Sequence, residues 1–253
     1  MHHTFITVVV PAYNEEKRLN ETLPKLWKSV KRRFASFEII VVDDGSTDGT
    51  AKIVREFSNT HPEVCLLRYE ENQGKGYAVR SGIMAAMGDY VMFCDADLST
   101  PFREIDKLVQ TLDKGYDIAI GSRAVNGSKI IKRQPIYRVL MGKTFNKFVQ
   151  LLAVPGIVDT QCGFKCFKGA VAREIFRTCR INGFSFDVEM LFVGRKMGMK
   201  IKEIGVVWEN NTLSKVHPIL HSLQMLKDLL VIRWLWLIGS YGAGRLGSWK
   251  WIS

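Results

Sequence analysis

Five short runs of near-continuous hydrophobicity, separated by segments of helical periodicity, constrain this chain more than any other feature. Residues 5–10, 37–42, 64–69, 90–94 and 117–120 are rich in Val, Ile, Leu, Phe and Tyr. Short runs without polar alternation suit parallel strands buried on both faces. Between the first two, Leu19, Leu23, Leu26, Val30 and Phe34 recur at three- and four-residue steps, while Lys25, Lys28, Lys31, Arg32 and Arg33 take other positions. Further helices are expected over 49–57, 76–87 and 102–112, the last with Pro101 at its first turn. This alternation predicts an α/β fold, a doubly wound, Rossmann-like and mostly parallel sheet with flanking helices.

The second half changes character. Residues 137–152 read as a basic helix carrying Arg138, Lys143 and Lys147, and 159–163 as a turn-rich stretch, Asp-Thr-Gln-Cys-Gly. Helical patterns follow near 170–178 and 187–196, then a strand over 200–207 and a long amphipathic helix over 218–237. No Pro/Gly/Ser-rich linker, repeat or low-complexity tract intervenes, so residues 1–253 are expected to form a single domain.

Hydrophobic residues make up 47% of the chain, which supports a sizeable core and excludes wholesale disorder. The formal charge of +11 calls for an anionic partner, and nucleic acid, a phosphorylated substrate or an acidic lipid surface all qualify. Cys65, Cys94, Cys162, Cys166 and Cys179 are too scattered for a disulfide framework, and no second ligand pair accompanies Cys162 and Cys166 at zinc spacing. Buried thiols in a reducing, cytosolic compartment fit better. The first ten residues lead straight into a strand and lack the pattern of a signal peptide. No stretch reaches the ~18 uninterrupted apolar residues of a spanning helix. Residues 229–238 come nearest, with Lys227, Asp228 and Arg233 in or beside them, and read as a surface-seeking segment.

The first run leads into Val10-Pro11-Ala12-Tyr13-Asn14-Glu15-Glu16, and the second into Val42-Asp43-Asp44-Gly45-Ser46-Thr47-Asp48-Gly49-Thr50. In an open α/β sheet, ligands bind outside the carboxyl ends of the strands, where these two loops would lie side by side. Carboxylates there suit the donors on a ribose and a pyrimidine edge. Helix capping is the competing reading, with Asn14 and Ser46 as caps and Glu15, Glu16 and Asp48 near positive helix ends. Capping accounts for Asp48 without requiring the adjacent Asp43 and Asp44.

The sharpest signal ends the fourth run, Cys94-Asp95-Ala96-Asp97. Two acids flanking a small residue at a buried strand end form a hard oxygen site, suited to Mg²⁺ or Mn²⁺ completed by diphosphate oxygens. Such an ion neutralises charge growing on a leaving diphosphate. Gly74-Lys75-Gly76 lacks P-loop spacing, yet Lys75 can face a phosphate. Residues 242–247 satisfy G-x-G-x-x-G without a preceding strand, and His217 and His221 have no accompanying carboxylate motif. Neither is taken as a site.

Together these residues resemble the GT-A family-2 glycosyltransferases over nearly the whole chain. The general pattern is carried by residues 10–16, 41–50, Asn72-Gln-Gly-Lys-Gly76 and Asp95-Ala-Asp97. Gly121-Ser-Arg123, Asp159-Thr-Gln-Cys-Gly-Phe-Lys165, Phe186-Asp-Val-Glu189 and Ser214-Lys215 look like the dolichyl-phosphate β-glucosyltransferase branch and its prokaryotic polyprenyl-phosphate relatives. Dolichyl-phosphate mannose synthases are the nearest cousins and the alternative assignment. They usually read Leu-Gln-His-Pro where this chain has Leu98-Ser-Thr-Pro101, and they carry an arginine where it has Glu209.

The resemblance implies inverting transfer of a hexose from a nucleotide sugar, UDP-glucose foremost, to dolichyl or polyprenyl phosphate. It divides the chain into a nucleotide-sugar-binding half (1–125), an acceptor-side half (126–217) and a membrane-surface helix with its tail (218–253). Pro11, Tyr13, Glu15, Asp43, Asp44, Lys75, Asp95, Ala96 and Asp97 are expected at the nucleotide sugar, with Asp95 and Asp97 as metal ligands. A phosphate monoester is already anionic at neutral pH, so catalysis can rest on positioning and electrostatics. Arg123, Arg133, Arg138, Ser214 and Lys215 are the candidates at the acceptor phosphate, and Asp97, Arg123, Lys215 and Asp187 the candidate catalytic set. Replacing Arg123 is expected to slow turnover and leave the fold near wild type. Asp187 and Glu189 carry two readings, as a general base in an enzyme with a hydroxyl acceptor or as organisers of the site.

The rival enzyme reading is transfer to a sugar hydroxyl in polysaccharide assembly. The rival from another class, nucleic-acid binding, is disfavoured because Asp43, Asp44, Asp95 and Asp97 repel a phosphate backbone. A polyprenyl phosphate stays in its bilayer, so the protein is expected at the cytoplasmic face of a membrane, peripherally bound and with room for an oligomer. Leu220, Leu223, Leu226, Leu230, Trp234 and Leu237 supply the apolar stripe, and Trp236, Trp249 and Trp251 suit the lipid boundary. The alternative is that the same leucines pack into the core.

Overall fold

Residues on alternate sides of each buried run decide how the layers assemble. The computed structural model describes residues 2–132, 135–210 and 218–241, with side chains for all of these except 136–138 and 218–223. In chain order the elements are β1 (Ile6–Ala12), α1 (Glu16–Lys31), β2 (Phe37–Asp44), α2 (Thr50–Ser58), β3 (Val64–Tyr69), α3 (Lys75–Ala85) and β4 (Tyr90–Cys94). A short 3-10 turn (Phe102–Glu104) then leads into α4 (Ile105–Asp113), β5 (Ile118–Ser122), β6 (Lys129–Lys132) and α5 (Ile136–Leu152). The chain continues through β7 (Phe164–Lys168), α6 (Gly169–Thr178), α7 (Phe186–Lys196), β8 (Ile201–Gly205), β9 (Val207–Glu209) and α8 (Pro218–Leu237).

Seven strands form one sheet in the order β3-β2-β1-β4-β7-β5-β8. All neighbours are parallel except β7, which runs antiparallel to both β4 and β5. Period-2 alternation sorts the strand residues into two cores. Val9, Ile40, Val42, Val91 and Phe93 face one layer with residues of α3, α5, α6, α7 and α8. Val8, Val10, Ile39, Val41 and Met92 face the other with α1, α2 and α4. The doubly wound, mostly parallel sheet expected from the sequence is present, and the helices lie where the periodicity places them.

Three details depart from the sequence reading. Phe164–Lys168 is a central strand that the pattern did not announce, because Lys165 and Lys168 interrupt its apolar run. The stretch read as one strand over 200–207 divides into β8 and β9. Strand β9 leaves the main sheet and pairs with the exposed β6 in a separate parallel ribbon.

Helix α8 sends Met225, Leu229 and Ile232 into the core and leaves Leu230, Trp234 and Leu237 exposed. The expected apolar stripe therefore points outward at these three positions, and a neighbouring stripe does the packing. Trp236 is turned inward, edge-on to Phe192 at 5.9 Å, instead of toward a lipid boundary. Helix α5 packs beside α8 and exposes Leu140, Phe148 and Leu151.

Candidate active site

Parallel direction gathers the site. The carboxyl ends of β1, β2, β4 and β5 lie on one sheet edge, and the reversed β7 brings the turn before it to the same edge. Register sets Pro11 beside Val42 and Ala12 beside Asp43, so the first two loops start at the same level. They interlock by reciprocal hydrogen bonds. Asn14 N donates to Ser46 Oγ and Thr47 N donates to Asn14 Oδ1, each at 2.8 Å. Asn14 adopts φ +53° to do so. Asn14 and Ser46 thus tie loop to loop and do not cap helices. The Asp48 carboxylate accepts from Glu16 N and Thr50 N, the first residues of α1 and α2, as the capping argument required. Glu15 pairs with Arg18 at 2.7 Å, and Tyr13 stands exposed at the mouth of the loop.

Asp43 and Asp44 have different surroundings. Asp43 is fully buried: Oδ1 accepts from Ser46 N at 3.0 Å, and Arg68 Nε lies 3.4 Å from Oδ2. That second oxygen has no hydrogen bond among the described residues. Both oxygens of Asp44 are engaged by the 72–74 loop, accepting from Gln73 N, Gly74 N and Asn72 Nδ2 at 2.8–3.0 Å. Asp44 shapes the loop that delivers Lys75. Gly74 ends this loop at φ +101°, with Asn182 O only 2.6 Å from where a Cβ would stand. Asn182 O also accepts from Gly76 N at 2.7 Å, pinning the start of α3.

At the end of β4, Asp95 is about one-third exposed, and its Oδ1 accepts from Lys75 Nζ at 2.6 Å. Ala96 is buried between the acids, and Asp97 Oδ1 accepts from Ser99 N at 2.9 Å. Gly163, in the turn before β7, presses on the Asp95 carboxylate. The donors are the hard oxygens that Mg²⁺ or Mn²⁺ takes. Among the described residues, no group of three or more His, Cys, Asp or Glu forms a cage.

Two ion pairs flank the acids. Lys165 is fully buried within β7; its Nζ donates to Cys162 O at 2.8 Å and to Asp187 Oδ1, and lies over the Phe93 ring. Burial pushes the Asp187 carboxyl up, and Lys165 and then Lys75 hold it back without reversing the direction. Arg123 grips Asp159 through Nε and Nη2 at 2.8 Å each, its backbone N donates to the same carboxylate, and its guanidinium lies over Trp208. Burial acts to raise the Asp159 carboxyl, but Arg123 outweighs it and leaves Asp159 below the usual carboxylate range. Glu189 is fully buried and accepts from Arg180 N, Ile181 N and Tyr241 OH at 2.8 Å each. It organises the 180–182 loop and so, through Asn182, the start of α3.

The structure therefore collects Asp43, Asp44, Lys75, Asp95, Asp97, Arg123 and Asp187 around one sheet edge. Arg133, Ser214 and Lys215 lie outside the described residues, as do the 242–247 match, His217, Trp249 and Trp251. Arg138 sits in the first turn of α5, and its side chain, like those of Leu220, His221 and Leu223, is not among those described. Sequence reasoning assigned no role to Lys165, Asp159 or Gly163, although all three belong to a quoted motif. A lysine inside a strand bounded by phenylalanines was the available signal, since a buried charge requires a partner.

Comparison with known proteins completes the picture. Residues 7–176 match the family model for glycosyl transferase family 2. A dolichyl-phosphate beta-glucosyltransferase of Dictyostelium discoideum is 39% identical over 248 residues, covering 93% of this chain and 76% of that protein. The Homo sapiens protein of the same name is 39% identical, covering 93% and 77%. Among solved structures, Mycobacterium tuberculosis glucosyl-3-phosphoglycerate synthase in complex with Mn²⁺, UDP and phosphoglyceric acid superposes with a TM-score of 0.61 at 19% identity, covering 94% of this chain and 79% of that one. That likeness is one of fold. With a GT-A sheet, an Asp-Ala-Asp strand end and a family match across two-thirds of its length, the chain belongs to glycosyl transferase family 2.

Proposed function

We propose that this protein transfers glucose, with inversion, from UDP-glucose to dolichyl or polyprenyl phosphate at the cytoplasmic face of a membrane. The observation that carries the reading is the 39% identity, over 93% of the chain, to proteins named for that reaction. The geometry supports it from the residues upward. Asp43 Oδ2, buried beside Arg68 but without a hydrogen bond among the described residues, suits a nucleoside donor group. Asp95 and Asp97 would hold Mg²⁺ or Mn²⁺, the latter present in the solved relative, and the ion would supply Lewis-acid neutralisation of the leaving diphosphate.

An anionic phosphate nucleophile needs no general base. Asp187 is consistent with that, being buried and tied to Lys165, a placement that suits positioning. Arg123, held by Asp159 with its guanidinium over Trp208, presents a preorganised cation at the same edge. Among the described residues no helix is long and apolar enough to cross a membrane. Contact with the lipid acceptor is assigned to the exposed apolar residues of α5 and α8, beside Lys143, Lys147, Lys227 and Arg233.

The test is an assay of purified protein with a panel of nucleotide sugars and a polyprenyl phosphate, with Asp97→Asn as control. Glucosyl-lipid formed from UDP-glucose, lost in the variant, supports the reading. Preferential turnover of GDP-mannose, or transfer only to a sugar hydroxyl, overturns it.

A further inference from the structure

The acid that should meet a divalent ion already holds a cation of the protein's own. Lys75 Nζ is 2.6 Å from Asp95 Oδ1, and Asp187 and Asp97 add their attraction. A metal–carboxylate bond is about 2.0–2.6 Å long, so an ammonium and a divalent ion compete for that oxygen and repel one another there. The root of Lys75 is not free to drift. It is the first residue of α3, between Gly74, whose N donates to Asp44 Oδ2, and Gly76, whose N donates to Asn182 O. Only its flexible side chain can move. We propose that Lys75 occupies the divalent-cation position at Asp95 until a donor diphosphate draws its ammonium away, so that metal and nucleotide sugar bind as a coupled pair.

The exchange leaves each charge with a partner. One ammonium leaves Asp95 for a phosphate oxygen of the donor, and the divalent ion takes the vacated carboxylate. Asp187, held in place by Lys165, keeps the ammonium near the site during the transfer. The coupling is reciprocal: a nucleotide that recruits Lys75 raises metal affinity, and metal at Asp95 raises nucleotide affinity. The proposal rests on the reading of Asp95 as a metal ligand.

The test measures Mn²⁺ binding directly, by electron paramagnetic resonance of free Mn²⁺, for wild type, Lys75→Gln, Lys75→Arg and Asp95→Asn, each without nucleotide and with saturating UDP. Lys75→Gln should bind Mn²⁺ without nucleotide at least about tenfold more tightly than wild type, a difference of about 1.4 kcal/mol. Lys75→Arg, which keeps the cation, should stay near wild type. UDP should tighten Mn²⁺ binding strongly in wild type and much less in Lys75→Gln. If Lys75→Gln binds Mn²⁺ no better than wild type without nucleotide, while wild type with UDP binds it well, the placeholder role is wrong and the metal site stands. If no protein binds Mn²⁺ even with UDP, or Asp95→Asn binds it as wild type does, the metal reading falls and takes the placeholder with it. Lys75 is partly exposed at a helix start, and circular dichroism checks that each variant is folded.

Discussion

A Cβ placed on Gly163 would stand 2.1 Å from Asp95 Oδ2, closer than any side chain can approach. The turn before β7 and the acid at the end of β4 are therefore fitted against one another, with Asp95 N donating to Gly163 O at 3.2 Å. Gly163→Ala must displace either the carboxylate or the turn. We expect kcat/KM for the nucleotide sugar to fall by about a hundredfold or more, the scale of a misplaced catalytic constellation, while the far-ultraviolet spectrum stays native. An active Gly163→Ala enzyme would show that Asp95 does not need this placement.

Arg123→Ala should both slow the enzyme and destabilise it. The sequence alone led us to expect an unchanged fold, but Arg123 is the partner of the buried Asp159. Removing one member of such a pair costs about 3 kcal/mol, or roughly 6–12 °C in Tm for a chain of this size. The folded-state value of Asp159 is depressed, so its contribution is present above the unfolded value of about 3.9 and lost as pH falls through the folded one. In the variant burial is the largest influence left on Asp159 and raises its carboxyl, so the gap between variant and wild type in urea melts should be widest at neutral pH and narrow as pH falls. A melting temperature unchanged by Arg123→Ala contradicts this.

Lys165→Met should behave differently with pH. Asp187 is already pushed up by burial, and without Lys165 it moves further. For a raised acid, the stabilising contribution is full below about 3.9 and disappears as pH rises through the folded value. The variant should be least stable, relative to wild type, at neutral pH and recover part of the deficit by pH 5. A deficit independent of pH would place the damage in packing.

Glu189→Gln tests the loop that steadies α3. One Gln oxygen cannot replace two carboxylate oxygens receiving Arg180 N, Ile181 N and Tyr241 OH. The donor KM should rise several-fold with kcat little changed, because Asn182 then holds Gly76 less firmly. A selective loss of kcat would instead revive Glu189 as a participant in the chemistry.

Surface docking is checked with anionic liposomes in a flotation assay. Leu151→Glu and Trp234→Glu together should reduce binding at low salt while donor binding persists, since both side chains are exposed. Any truncation of the tail must begin after Tyr241. Tyr241 is buried, and its hydroxyl donates to Glu189. Unchanged flotation of the double variant would remove α5 and α8 as the lipid-facing surface.

The fold was legible where burial writes a repeating pattern. The runs that became β1, β2 and β4 and the steps Leu19, Leu23, Leu26, Val30 stand out because both sheet faces are covered and α1 has one apolar side. Asp95 and Asp97 stood out as candidates because paired acids follow a buried apolar run, and the structure places them at the end of that strand. Strand β7 was hidden by the residue that makes it interesting: Lys165 reads as exposure, and only the distant Asp187 reverses that meaning. Asp44 read as a nucleotide-sugar contact, and Glu189 as either a base or an organiser, because a sequence does not show that amide groups 28 to 30 and 8 to 9 residues away have claimed their oxygens.

The position of β7 also bears on how the chain can be made. Strand β4 is complete by Cys94, but the neighbour that satisfies its outer hydrogen-bonding edge, Phe164–Lys168, lies some seventy residues downstream. A nascent chain that has emerged only through β5 carries an open β4 edge of Val, Met and Phe, the kind of edge that recruits other chains. Residues 164–168 then have to insert between two strands already synthesised, a closure with a high loop-entropy cost. Expression of residues 1–125 alone should yield aggregates instead of a nucleotide-binding fragment, and the slow step in refolding the whole chain should be the arrival of this one reversed strand.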